Sequence, residues 1–209
     1  MNDYHIPLIA DQFYHLFNRA VGSDKLFRED ENYNYFLGKF KQYILPVADV
    51  FAYSLLPNHF HLLIRIKTDR ELMDHFLLKK RKAFNEQFDS LPGFVMEQFS
   101  NWLNGYAKAF NKMYNRKGSL FIDYLKRSEA KEDSDITSFI FYIHKNAVHH
   151  GLTKKIGEWS YDSYKSIISS LPTSLKRNEV VDWFGSIEQF IRFHSQPIEL
   201  KFPELESGL

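Results

Sequence analysis

The sequence contains no cysteine, which excludes disulfides, thiolate metal sites and cysteine nucleophiles. No stretch approaches the roughly 20 apolar residues that a membrane-spanning helix needs. There is no excess of one charge either. Lysine and arginine number 27 against 26 aspartates and glutamates, for a net charge of +1. Any nucleic-acid surface therefore has to come from local basic clusters, not from a globally basic chain. Internal repeats and low-complexity segments are absent. The N-terminal stretch MNDYHIPLIADQF has no basic start followed by an apolar run. With the missing cysteines, this leads to the expectation of a soluble, cytoplasmic protein with no membrane partner.

What is present is the composition of a folded chain. The 209 residues are 44% hydrophobic and 25% charged, long enough for one well-buried domain and short for two. Aromatics reach 17%. Much of that is core, but exposed rings also stack on unpaired bases.

Alternation predicts a strand over 12–21, and spacing of Tyr33, Phe36, Leu37, Phe40 and Ile44 predicts a helix over 31–45, stopped by Pro46. Residues 47–56 and 59–66 read as strands of one hairpin around Pro57-Asn58. A helix is expected over 71–88, a break at Leu91-Pro92-Gly93, and a longer helix over 94–118 ended by Gly118. Then come a strand over 119–130 and a helix over 133–151 capped by Gly151. Short helices are expected in WSYDSYKSIISSLP and NEVVDWFGSIEQFIRFH, and an extended tail in QPIELKFPELESGL. This order predicts an α+β fold: a ferredoxin-like antiparallel sheet covered by helices, with a helical C-terminal extension. Residues 1–165 would form the main domain, and 166–209 would pack on it or trail from it.

The third strand opens LPNHFHLLI (56–64). His59 and His61 share one face, while Phe60, Leu62, Ile64 and Ile66 share the other. The imidazoles are either a hydrogen-bonded polar patch on an open sheet face or two ligands of one metal. In helix 133–151, Ile136, Phe139, Ile140, Ile143 and Ala147 form the core stripe, and Tyr142, Asn146 and His149 a stripe beside it. If that second stripe lies over the histidine face, two imidazoles and an amide oxygen make a three-donor set for Mg²⁺ or Mn²⁺. A tyrosine hydroxyl, with its ordinary pKa of about 10, is a weak nucleophile, and a bound metal that polarises a phosphate makes its attack feasible.

These residues resemble the single-tyrosine HUH transposases, most closely the REP-associated tyrosine transposases. The matching stretches are YHLFNRA (14–20), LPNHFHLLI, GSLFIDYLKRS (118–128), FYIHKNAVHHGL (141–152) and WSYDSY (159–164), in the family's order. The histidine pair alone is a weak signal; the ordered set is a strong one. The resemblance implies that His59 and His61 hold a divalent metal, Mg²⁺ or Mn²⁺, that Asn146 completes the metal site, and that Tyr142 is the nucleophile. It implies cleavage and rejoining of single-stranded or hairpin DNA through a 5′-phosphotyrosine, by a monomer or homodimer associated with the bacterial nucleoid. Ala147 departs from the proline usual in the family, a change that keeps the helix going.

Basic clusters complete the expectation: Lys79, Lys80, Arg81 and Lys82; Lys108, Lys112, Arg116 and Lys117 with Tyr106, Phe110 and Tyr114 interleaved; and Lys126 and Arg127. Such groups neutralise phosphates while aromatics stack on bases. Each feature also has a plainer reading. Lysine runs are commonly solvated faces. A helix-border tyrosine packs on a core, and there are 12 tyrosines, with Tyr106, Tyr114 and Tyr124 as rivals to Tyr142. His144, His149 and His150 precede Gly151, where the helix dipole alone favours cations. Two other functions compete with strand transfer: a non-catalytic protein that binds structured DNA, and an HUH nickase of replication or transfer.

Overall fold

The computed structural model describes residues 6–122 and 124–197. The tail expected to be extended lies, from residue 198 on, outside the described residues.

Four strands form one antiparallel sheet: β1 (Phe13–Arg19), β2 (Ala48–Leu56), β3 (His59–Ile66) and β4 (Lys126–Ala130), in the order β2-β3-β1-β4. That is the ferredoxin-like order. The split pair β1 and β2 flank β3, so the hairpin β2–β3 places the histidine strand in the middle of the sheet. The continuous apolar pattern of β3 suits a strand buried on both faces.

One face is covered by α1 (Asp30–Tyr43), α2 (Asp69–Lys80) and α3 (Leu91–Met113). Phe36, Phe40, Trp102 and Tyr106 meet Phe60, Leu62 and Ile64 there. Trp102 is fully buried, and its indole N–H donates to the Phe36 carbonyl at 3.2 Å. The break expected at Leu91-Pro92-Gly93 is instead the first turn of α3. Ser90 Oγ accepts from Gly93 N, and proline is tolerated where no intrahelical N–H is needed.

Two helices are shorter than their periodicity predicts. α2 stops at Lys80 because Arg81 turns left-handed (φ 53°). Beyond it, Asp89 accepts from Lys82 Nζ and Asn85 N and gathers 82–89 into a compact loop. α3 ends at Met113, before the expected Gly118, with Asn115 left-handed at φ 47°. Asparagine is among the few non-glycine residues that accept this conformation readily.

The other face carries α4 (Asp133–His149), followed by α5 (Tyr164–Ile168), α6 (Arg177–Phe184) and α7 (Ile187–His194). A bulge in β2 between Val50 and Ala52 sets Phe51 against this side. Phe17, Phe51, Ala52 and Leu63 then make a second apolar face. It is sealed by Ile136, Ile140 and Ile143 of α4 and by Val180, Phe184 and Phe190. α4 ends in a Schellman turn, with Gly151 N bonding Val148 O, Leu152 N bonding Ala147 O, and Gly151 at φ 68°.

β4 is the least regular strand. Only Lys126–Ala130 pairs with β1 as a ladder, while Phe121 forms an isolated bridge with Ala20. Among the described residues no helix is long and apolar enough to cross a membrane.

Candidate active site

The histidine face is closed rather than open, because its aromatic and aliphatic residues need a cover as much as its imidazoles need partners. α4 packs across β2 and β3 and brings Tyr142 and Asn146 over the paired rings. The Tyr142 ring stands edge-on to His61, with centroids 5.4 Å apart and an interplanar angle of 86°. His59 and His61 are 5.2 Å apart, centroid to centroid. All four side chains are buried: His61 is 0% exposed, Asn146 2%, His59 3% and Tyr142 7%.

Hydrogen bonds orient each polar group. His59 Nδ1 lies 2.8 Å from Asn58 Oδ1, an acceptor, which assigns the proton to Nδ1 and leaves Nε2 with its lone pair. His61 Nδ1 lies 3.0 Å from His15 Nε2, the two rings within 5° of parallel. When His61 donates in that bond, its Nε2 is also bare. Asn146 Nδ2 donates to the Tyr142 carbonyl at 3.0 Å. His59 Nε2, His61 Nε2 and Asn146 Oδ1 are all buried and make no well-aligned hydrogen bond, although the Asn146 amide lies near enough to His59 to favour its protonated form. Buried polar atoms are normally satisfied. These three atoms are candidate donors to a divalent cation, and the opposite ring nitrogens of the two histidines are held by Asn58 and His15.

The imidazoles are neutral, the form that binds metal. Burial lowers His59 to about 3; neighbouring His150 adds to this and the Asn146 amide opposes it. Burial also holds His61 well below its usual value, helped by His15 and His59. Among the described residues no three His, Cys, Asp or Glu side chains are placed to hold a metal; the third candidate donor beside the two histidines is the Asn146 amide.

Of two further residues near the pair, His15 was not singled out from sequence, and His150 was assigned only to the helix dipole. His15, fully buried and lowered to about 3 by desolvation, is the outer partner of His61. Alternation in YHLFNRA puts His15 on one face with Phe17 and Arg19, but only the strand register sets that face beside β3. His150, at the C-cap of α4, brings its ring within 4.7 Å of His59. Its position is therefore more specific than the helix dipole alone would require.

The basic candidates separate. Lys79, Lys80, Arg81 and Lys82 lie at the end of α2, on the side of the sheet away from the imidazoles. Lys80 pairs with Glu97 at 2.6 Å and Lys82 with Asp89 at 2.7 Å, while Lys79 sits 5.5 Å from the Tyr43 ring. Lys108 and Lys112 are exposed on α3, and Lys117 is exposed beyond it. Arg116 is held by Asp24 at 2.9 Å. Arg127 is buried with Nη1 2.8 Å from Met96 Sδ, facing the α3 layer. Lys126 is paired with Phe17 in the register, and its Nζ lies 5.9 Å from that ring, on the imidazole face. Tyr106 and Phe110, expected as stacking rings, are 1% and 2% exposed and belong to the core. Tyr114 bonds Asn32 Oδ1 at 3.0 Å.

A second buried histidine pair lies on the far flank of α4. The Phe190 carbonyl takes the His194 Nδ1 proton at 2.8 Å. His194 Nε2 then accepts from His144 Nδ1 at 3.0 Å, and His144 Nε2 accepts from Ser163 Oγ at 2.8 Å. Ser163 Oγ in turn accepts from Tyr53 N. The chain ties α7 to α4 and β2, and it works only with both rings neutral. Burial lowers His194 to about 4 and His144 well below its usual value. The unfolded chain therefore binds protons that the folded chain refuses, and stability falls as pH drops below about 6.5 toward 4. Buried Asp162, raised to about 7 by desolvation, acts in the opposite sense: its contribution is present in acid and lost as pH rises through 7. A His194→Gln variant should lose part of the acid slope in urea midpoints measured from pH 7 to 5. An unchanged slope would refute the neutral-chain assignment.

No family model matches this chain, and no curated protein matches it in sequence. Among solved structures, it is similar to a REP-associated tyrosine transposase bound to a REP hairpin, with 13% identity and a TM-score of 0.53. The superposition covers 82% of this chain and 89% of that one. At this identity the likeness is one of fold.

Proposed function

We propose that the chain is a transposase-like DNA strand transferase that cleaves and rejoins single-stranded DNA through Tyr142. The observation that supports the reading is the Tyr142 ring standing edge-on to His61, on the same buried patch where His59 Nε2, His61 Nε2 and Asn146 Oδ1 lack hydrogen-bond partners. The fold shared with a transposase that binds hairpin DNA supports it.

In this reading His59, His61 and Asn146 hold Mg²⁺ or Mn²⁺. When bound, the ion polarises the scissile phosphate and neutralises charge that builds on its oxygens. Asn58 and His15 keep the two imidazoles turned toward it. Tyr142 Oη attacks phosphorus: an Oη–P bond forms and the P–O3′ bond breaks. The phenolic proton leaves to solvent and the departing oxygen ends as a 3′-hydroxyl. The bond energy stays in the 5′-phosphotyrosine, so attack by a 3′-hydroxyl rejoins strands without a nucleotide cofactor. The chain's part is placement and electrostatics, which is most of what phosphoryl transfer asks of a protein.

The test is incubation with labelled single-stranded and hairpin DNA plus Mg²⁺ or Mn²⁺, scored for an adduct that survives denaturation. A chelator is expected to suppress the adduct. Burial of all four side chains favours a second reading, a non-catalytic protein that binds structured DNA. DNA binding without any adduct across both metals would select it.

A further inference from the structure

On the opposite side of β1 from the imidazoles lies a cleft of about 380 Å³ between α3 and residues 118–121 with 124–125. Its volume is in the range of small-ligand sites. Its floor is mostly apolar, with Phe99, Leu103, Leu120 and Phe121 around the buried Asn18, and Asn104 and Asn111 lie nearer the surface beside Lys108. Tyr124, 39% exposed, lies at the mouth.

The wall is built onto the end of β1. Val21 N bonds Leu120 O and Ile122 N bonds Arg19 O, each at 3.0 Å. Asn18 and Arg19 are consecutive, so they point to opposite faces. Arg19 is paired with His59, while Asn18 turns into the cleft and donates to Tyr124 O at 3.5 Å. Cleft and imidazole pair thus sit back to back at the same end of the sheet. Asn111 is committed to Gly118 O and Arg116. Asn104 is exposed and lines the cleft.

We infer that this cleft holds one unpaired base of the single-stranded DNA that flanks the cleavage point, a subsite that rests on the function proposed above. The chemistry matches the occupant. A nucleobase has apolar faces, which the floor and Tyr124 cover, and an edge of donors and acceptors, which an amide reads bidentately. Its phosphate brings a negative charge to Lys108. The strand passes around the end of β1, from the cleft to the phenol.

The test compares labelled hairpins that carry a single-stranded flank of about ten nucleotides, within the reach of one single-strand-binding fold. One set has a homopolymer flank of each base, the other a flank of abasic spacers with the same phosphates. The full-length protein is expected to prefer at least one base-bearing flank by about 10-fold at fixed salt, the scale of one stacked base. Asn104→Ala should shrink that preference at least several-fold while leaving abasic binding unchanged. Equal affinity for both sets, or an Asn104→Ala loss that is the same on both, overturns the subsite. The Tyr142 adduct is scored separately. Base preference without an adduct sinks the strand-transfer reading and leaves the subsite standing; an adduct without base preference does the reverse.

Discussion

Tyr142→Phe is expected to abolish the covalent protein–DNA adduct, lowering strand cleavage by on the order of 10⁴-fold or more, the scale seen when a nucleophile is removed. DNA affinity should change little. The substitution removes one oxygen and keeps the ring that packs edge-on to His61 and His15. Stability should therefore move by no more than about 1 kcal/mol. This matters because a buried ring, 7% exposed, has an evident packing role as well. If Tyr142 were only a core aromatic, phenylalanine would serve as well and the adduct would persist. Persistence would return the nucleophile's role to another tyrosine. Tyr106 is a poor substitute, since its hydroxyl is spent on the Leu26 carbonyl inside the other core.

The second large effect belongs to His61. His61→Gln is expected to lower metal-dependent cleavage by about 10³-fold, with phosphate contacts and hairpin binding retained. Glutamine is preferred to alanine because His61 is wholly enclosed, and a cavity there would cost about 2–4 kcal/mol and confuse the reading. A companion change separates chemistry from folding. Asn58→Ala removes only the acceptor that assigns the His59 proton. It should weaken metal affinity by about 10- to 100-fold, the usual effect of an outer-sphere partner, and be rescued by raising Mn²⁺. If cleavage ignores His61→Gln, or if Asn58→Ala lowers activity with no rescue by metal, the donor assignment fails.

The candidate site was partly legible because two of its components are local. The period of a strand puts His59 and His61 on one face whatever the fold, and the period of a helix puts Asn146 one turn after Tyr142. Helix α4 and strand β3 were read nearly to the residue for the same reason. The basic clusters show the limit of such reading. Proximity in sequence joined Lys126 to Arg127, yet alternation sends one to the imidazole face and buries the other against Met96. Likewise the Tyr106, Phe110 and Tyr114 stripe looks like a stacking platform until α1 covers it.

The amino-acid sequence by itself determined the periods, the turns and the donor types: an antiparallel α+β sheet, two imidazoles in register on one strand, and a phenol and an amide stacked on one helix. These follow from backbone geometry, which needs no partner. Only the tertiary structure decided that His15 stands behind His61, that α4 covers the histidine face with α6 and α7 completing that core, and that Arg127 faces the other layer. Those outcomes depend on strand order and on which apolar surfaces find each other. Such long-range pairings are set by burial over the whole chain, and no short window of sequence contains them.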